Sequence, residues 1–182
     1  MKFTPLHIPE VVLIEPKVFG DERGFFLESW NRQSFAKAGI DQDFVQDNHS
    51  SSAQGVLRGL HYQIRQPQGK LVRVISGEVF DVAVDLRRGS PHFGRWVGAR
   101  LSAQNKHMLW VPPGFAHGFY VLSERAEFCY KCTDYYAPEH ERSLRWDDSR
   151  LAIDWPLPPG TEPVLSAKDA DAVGLAEAEV YP

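Results

Sequence analysis

The stretch GVLRGLHYQ, residues 55–63, sets Arg58 and His61 into a run that otherwise reads as a strand. A strand that only filled a core would need neither. Imidazole is the side chain best suited to take up a proton at neutral pH. Arg58 and Lys70 are close in sequence, and on neighbouring strands they would give that imidazole a cationic pocket. Strict alternation puts Arg58 and His61 on opposite faces. Gly59 between them could host a bulge that corrects this. The competing reading of His61 is a core histidine paired to backbone.

VPPGFAHGF, residues 111–119, holds Pro112, Gly114 and His117 in a P-x-G-x-x-H pattern. It resembles the second motif of cupins, a jelly-roll superfamily. Many cupins bind a metal with two histidines and a glutamate of a first motif plus this histidine. The corresponding region here is GLHYQIRQPQGKLVRVISGEV, where His61 is followed by Gln63 instead of a second histidine. Lys70 stands where a metal site would want a neutral or anionic ligand, and a cation beside a divalent ion is unfavourable. The expectation is a barrel with no metal site and acid–base residues in its place. His117 taken alone is either a ligand contact or a structural histidine at the barrel mouth.

Tyr130, in EFCYKCTDYY, shares a face with Phe128 and Cys132. It is either a core aromatic with a satisfied hydroxyl or a proton donor facing a base. Cys129 and Cys132 form C-x-x-C, but on a strand they point to opposite faces, so two small buried side chains are expected instead of a disulfide or a zinc site. Asp169 lies in Ser166-x-x-Asp169, a loose capping box, and could instead orient His61 as a dyad partner. Arg23 and Glu28 flank an aromatic pair in GDERGFFLESW, and Gln46 and Asn48 sit in the polar QDNH segment. Alone, these are a salt-bridged edge strand and a polar loop.

The elements needed to position such groups are short strands. The chain has 182 residues and is 43% hydrophobic, enough for a real core. VVLIEPKVFGD and GFFLESW read as strands around a turn at Gly20–Gly24, and NRQSFAKAG as a short helix capped by Asn31 and stopped by Gly39. KLVRVISG and EVFDVAVDLR flank a tight turn near Gly77. RWVGARLSA, HMLWVPPG, HGFYVLS and EFCYKCTDYY follow, and SAKDADAVGLAEAEV reads as a C-terminal helix starting near Ser166. The spacing predicts a mainly β, antiparallel sandwich or barrel with short peripheral helices. One domain over 1–182 is expected, with N-terminal strands and helix in 1–50, the barrel in 51–150 and a C-terminal extension in 151–182. A net charge of −4 gives no global field for nucleic acid or an anionic membrane. No signal peptide and no membrane-spanning run is read, so a cytoplasmic location is expected.

Together, EPKVFGDERGFFLESW, FVQDNHS, GVLRGLHYQ, QGKLVRVISGEVFDVAVDLRRGSPHFGRW, LWVPPGFAHGF, EFCYKCTDYY and DWPLPPGTEPVLSAKDA resemble the dTDP-4-dehydrorhamnose 3,5-epimerase family, nucleotide-sugar enzymes on a cupin jelly roll. The resemblance runs from about residue 14 to residue 170 and implies a position-by-position assignment. The general base falls on His61, its aspartate partner on Asp169, the acid on Tyr130 and the lysine near the keto oxygen on Lys70. Substrate contacts fall on Arg23, Glu28, Gln46, Asn48, Arg58, His117, Glu141 and Lys168, with Phe26 and Tyr136 lining the nucleotide and sugar pocket. Arg142 stands where the family commonly has glycine. The resemblance further implies a dTDP-sugar substrate, no cofactor, and a homodimer whose N-terminal strand lends Arg23 and its neighbours to the partner's site. Three alternatives remain open from sequence. They are an epimerase inverting only C3 or only C5 of a related sugar, a metal-dependent cupin, and a non-catalytic sugar-nucleotide binder.

Overall fold

A computed structural model describes all of residues 1–182. The chain forms thirteen strands and two short α-helices: β1 (Lys2–Pro5), β2 (Val12–Glu15), β3 (Val18–Asp21), β4 (Gly24–Leu27), α1 (Arg32–Lys37), β5 (Gln46–Ala53), β6 (Leu57–Gln63), β7 (Lys70–Ser76), β8 (Glu78–Asp85), β9 (Trp96–Ser102), β10 (Met108–Val111), β11 (Phe115–Val121), β12 (Arg125–Cys132), β13 (Glu141–Ser143) and α2 (Ala167–Ala170). One sheet runs β1-β2-β10-β7-β12-β5, and a second runs β13-β6-β11-β8-β9. β3 and β4 form a separate hairpin. The paired strands are antiparallel, as the sequence pattern predicts.

The two sheets face one another across a core drawn from both. Val72 and Val74 of β7 and Phe128 of β12 meet Val79 and Ala83 of β8 and Phe115 and Phe119 of β11. The outer face of the second sheet carries Leu60, Tyr62, Val82, Val84 and Tyr120, covered by Leu151, Trp155 and the C-terminal chain. No helix is long and apolar enough to cross a membrane.

Several sequence expectations change in detail. β7 and β8 flank the turn at Gly77, where φ is +76°, but they belong to different sheets, so the turn carries the chain from one to the other. Arg58 on β6 and Lys70 on β7 accordingly line one pocket from different sheets instead of lying on neighbouring strands. The polar QDNHSSSA segment is no loop; it is β5, the edge strand beside β12, whose fully polar run hides its pairing. The C-terminal helix starts as expected at Ser166 but ends at Ala170. Beyond it, Val173 bridges Leu144 and the Leu175 N–H donates to Asp148, so tertiary pairing displaces helix. The cysteines are unbridged, and Cys129 is only half-buried while Cys132 is buried. In the hairpin, Arg23 pairs with Asp21 and Glu28 accepts from Asn31, so no Arg23–Glu28 bridge forms.

Candidate active site

The expected bulge is present. On β11, His117 and Phe119 are two residues apart; on β6 their partners His61 and Arg58 are three apart. The extra residue turns both Arg58 and His61 toward one pocket. Glycine is required here. Gly59 has φ +121°, and a Cβ on it would lie 2.6 Å from Gly118 Cα and 2.7 Å from the His117 carbonyl oxygen.

The pocket has a volume of about 580 Å³ and opens between the two sheets. The second sheet contributes Arg58, His61 and His117; the first contributes Lys70, Phe128 and Tyr130. α2 supplies Lys168 and Asp169. The histidine at position 61 and the tyrosine at position 130 therefore enter from opposite walls.

His61 Nε2 donates to Asp169 Oδ1 at 2.5 Å. Nε2 thus carries the hydrogen, and the unpartnered Nδ1 is left with the lone pair. The carboxylate is almost fully buried while the imidazole stays part-exposed. Burial pushes the Asp169 carboxyl up. The His61 hydrogen bond and charge, the Ser166 hydroxyl and the Gly59 N–H outweigh it and hold the carboxyl below its ordinary range. The capping and dyad readings of Asp169 coexist: its backbone N–H donates to the Ser166 side chain while its carboxylate turns to His61.

Lys70 makes no ion pair or side-chain hydrogen bond, although its flank is half-buried. Burial pushes its pKa down, opposed by Cys132, Asp81 and Glu141. An unpaired ammonium aimed into a pocket is a preformed donor for an anion. The Tyr130 hydroxyl likewise has no partner in the chain, contrary to the expectation for a core tyrosine, and it is not sealed from solvent. Burial and neighbouring Cys132 push the phenol up, so it holds its proton at neutral pH and is fitted to act as an acid. Arg58 Nε donates to Ser52. No group of three or more His, Cys, Asp or Glu side chains is gathered to hold a metal ion.

Residues 5–177 match the model of the dTDP-4-dehydrorhamnose 3,5-epimerase family. The chain belongs to this family. The Pseudomonas aeruginosa dTDP-4-dehydrorhamnose 3,5-epimerase is 64% identical, with 100% of each chain covered. The solved dTDP-6-deoxy-D-glucose-3,5-epimerase of Legionella pneumophila, in complex with dTDP-4-keto-L-rhamnose, is 57% identical with a TM-score of 0.94, covering 98% of this chain and 94% of that one. ChmJ, a 3'-monoepimerase from Streptomyces bikiniensis in complex with dTDP-quinovose, is 36% identical with a TM-score of 0.88, covering 95% of this chain and 87% of that one. The cupin-like jelly roll of these epimerases is the fold of this chain.

Of the positions matched to the epimerase family, His61, Lys70, Tyr130, Asp169, Arg58, His117 and Lys168 meet in or directly behind the one pocket. Glu141 stands beside its mouth, bound to Lys168 Nζ at 2.9 Å and to the Tyr136 hydroxyl at 3.1 Å. Arg142, at the departure from the family pattern, pairs with Glu179 and leaves Glu141 in place. Gln46 and Asn48 lie on the edge strand behind Tyr130, with Gln46 accepting from the Tyr136 N–H. Arg23, Phe26 and Glu28 stand apart on the β3–β4 segment, where Phe26 is 69% exposed. Sequence reasoning missed Asp81, a fully buried carboxylate whose two oxygens each lie 3.0 Å from His117 Nε2. Its signal was an aspartate in register with inward-facing Val79 and Ala83 on β8.

Proposed function

We infer that this pocket performs the family's reaction, inverting C3 and C5 of a dTDP-4-dehydro-6-deoxy sugar, and that His61 and Tyr130 are its base and acid. The opposite-wall arrangement of an oriented imidazole and an unpartnered phenol carries the reading. The C4 ketone acidifies the C–H bonds at C3 and C5. His61 Nδ1 takes the proton from one face, and the electron pair moves onto O4 as an enolate. Lys70 donates to that oxygen, an interaction worth about 2.7–4 kcal/mol of barrier. The Tyr130 hydroxyl then delivers a proton to the same carbon from the other face. Proton removal and return by separate groups invert the centre; a single group would tend to restore it. Imidazolium and phenolate reset by exchange with water, and each acid–base group contributes roughly 10²–10⁴-fold. Asp169 keeps His61 in the tautomer whose Nδ1 is free.

Arg58 and Lys168 fit the charge of a nucleoside diphosphate, and His117 fits a polar contact to the same ligand. Arg23, Phe26 and Glu28 fit a homodimer in which the β3–β4 hairpin reaches a partner's site. Its exposed Phe19, Phe25 and Phe26 support that reading. A cytoplasmic location belongs to the same proposal. The test of the roles is proton exchange in heavy water. His61→Asn is expected to abolish deuterium uptake at both carbons, and full exchange would reject His61 as base. Tyr130→Phe is expected to harm inversion more than proton removal; equal loss of both would make Tyr130 structural.

A further inference from the structure

Asp81 projects from β8 into the interior behind His117, fully buried, with no assigned part in the proton transfers. It holds the Nε2 edge of His117 with both oxygens at 3.0 Å. The His117 ring is stacked on Phe128 at 6.1 Å, which fixes its plane. Nδ1 of that ring has no partner in the chain and is not sealed off.

A carboxylate–imidazole pair of this kind has two ways to face a ligand. Without an added proton, Nε2–H donates to the carboxylate and Nδ1 offers a lone pair. With one added proton, Nδ1 carries a hydrogen whether the shared proton rests on Asp81 or on His117. The second state is neutral overall. Burial favours it by pushing the Asp81 carboxyl up, and His117 and then Lys70 pull it only part-way back. Around the pair, β7 brings Lys70, β12 brings Tyr130, β6 brings Arg58 and His61, and α2 brings Lys168 and Asp169. The three cations favour the ionised carboxylate, as Lys70 does for Asp81, and the diphosphate of a bound nucleotide sugar offsets them and returns the balance to the neutral pair. The ketone, ring and phosphate oxygens of a keto-sugar nucleotide all accept hydrogen bonds, and a bare Nδ1 would repel them.

We propose that Asp81 is a positioning residue for substrate binding: sharing one proton with His117, it fixes that imidazole as a donor, through Nδ1–H, to an acceptor oxygen of the bound nucleotide sugar. This rests on the reading of the pocket as the substrate site. It requires nothing of His61, so an unexpected exchange result with His61→Asn would leave it standing.

The experiment is long-range proton–nitrogen NMR of the ¹⁵N-histidine-labelled enzyme at pH 7.5, with the His117 signals assigned through His117→Gln. Wild type is expected to show a protonated Nδ1. Asp81→Asn, whose amide can donate to Nε2, is expected to keep that proton and a KM within about threefold of wild type. Asp81→Val is expected to lose the proton and raise KM at least tenfold, with kcat changed less than threefold. A bare Nδ1 in wild type overturns the proposal, and so does an unchanged KM in Asp81→Val. If Asp81→Val does not fold, the wild-type and Asp81→Asn spectra still decide it.

Discussion

Replacing Lys70 by methionine separates catalysis from stability more sharply than any other change at this site. Lys70 is a partly buried cation with no carboxylate partner, kept beside a pocket where burial already disfavours its charge. Methionine is unbranched and of similar length, so packing is nearly conserved. Loss of the only donor assigned to the enolate oxygen removes about 2.7–4 kcal/mol of transition-state stabilisation, or 10²–10³ in kcat. Stability moves the other way. Burial disfavours the Lys70 charge in the folded chain, and each kcal/mol of that penalty shifts Tm by about 2–4 °C in a chain of this size. Lys70→Met is therefore expected to melt higher while its kcat collapses. The pH dependence has a definite sign. Lys70's folded pKa lies below its unfolded value, so the charge penalty is fully present below that lowered value. It fades as pH rises through the lowered value toward the ordinary lysine range. The stability advantage of Lys70→Met should shrink over that same interval. Calorimetry across pH, together with product formation followed by NMR, reads both effects. A kcat loss under about tenfold, or a lower Tm, would refute the reasoning.

Asp169→Asn should lower kcat by roughly 10³–10⁴ with KM nearly unchanged, because the amide can hold His61 in the wrong tautomer. Its stability deficit should be constant above the usual carboxylate range and vanish as pH falls through the lowered Asp169 value, read by melting wild type and variant in parallel. Gly59→Ala places a Cβ within 2.6 Å of Gly118 Cα at a positive φ. It should cost on the order of 1–3 kcal/mol in denaturant unfolding and lower kcat by displacing His61. Sedimentation should give a dimer for the native chain and a monomer for the Phe25→Ser, Phe26→Ser double variant; a monomeric native chain would remove the hairpin-exchange proposal.

The sandwich was legible because apolar alternation in segments such as KLVRVIS and EVFDVAVD survives without any partner information. The bulge was legible because a glycine stood between two residues that chemistry wanted on one face. The polar edge strand β5 was not, since neither of its faces is apolar enough to declare itself. The His61–Asp169 contact joins residues 108 apart in sequence, so the residues alone left the dyad and capping readings of Asp169 open and the family resemblance favoured the dyad. That Lys70 and Arg58 line one pocket from different sheets was hidden because adjacent strands in sequence need not share a sheet. Asp81 was overlooked although its alternation with Val79 and Ala83 set it on the inward face, because its partner on β11 is invisible in the sequence. The C-terminal helix was overextended because Val173 and Leu175 are claimed by tertiary bonds invisible to propensity.

Everything chemical here depends on a base and an acid working from opposite walls on carbons either side of one ketone. The direct measurement is incubation of the native enzyme with dTDP-4-dehydro-6-deoxy-D-glucose in heavy water, with the product's isotope content and configuration read by NMR. Deuterium at both C3 and C5, each centre inverted, is the predicted result. Inversion without deuterium, or exchange with both centres retained, would contradict it.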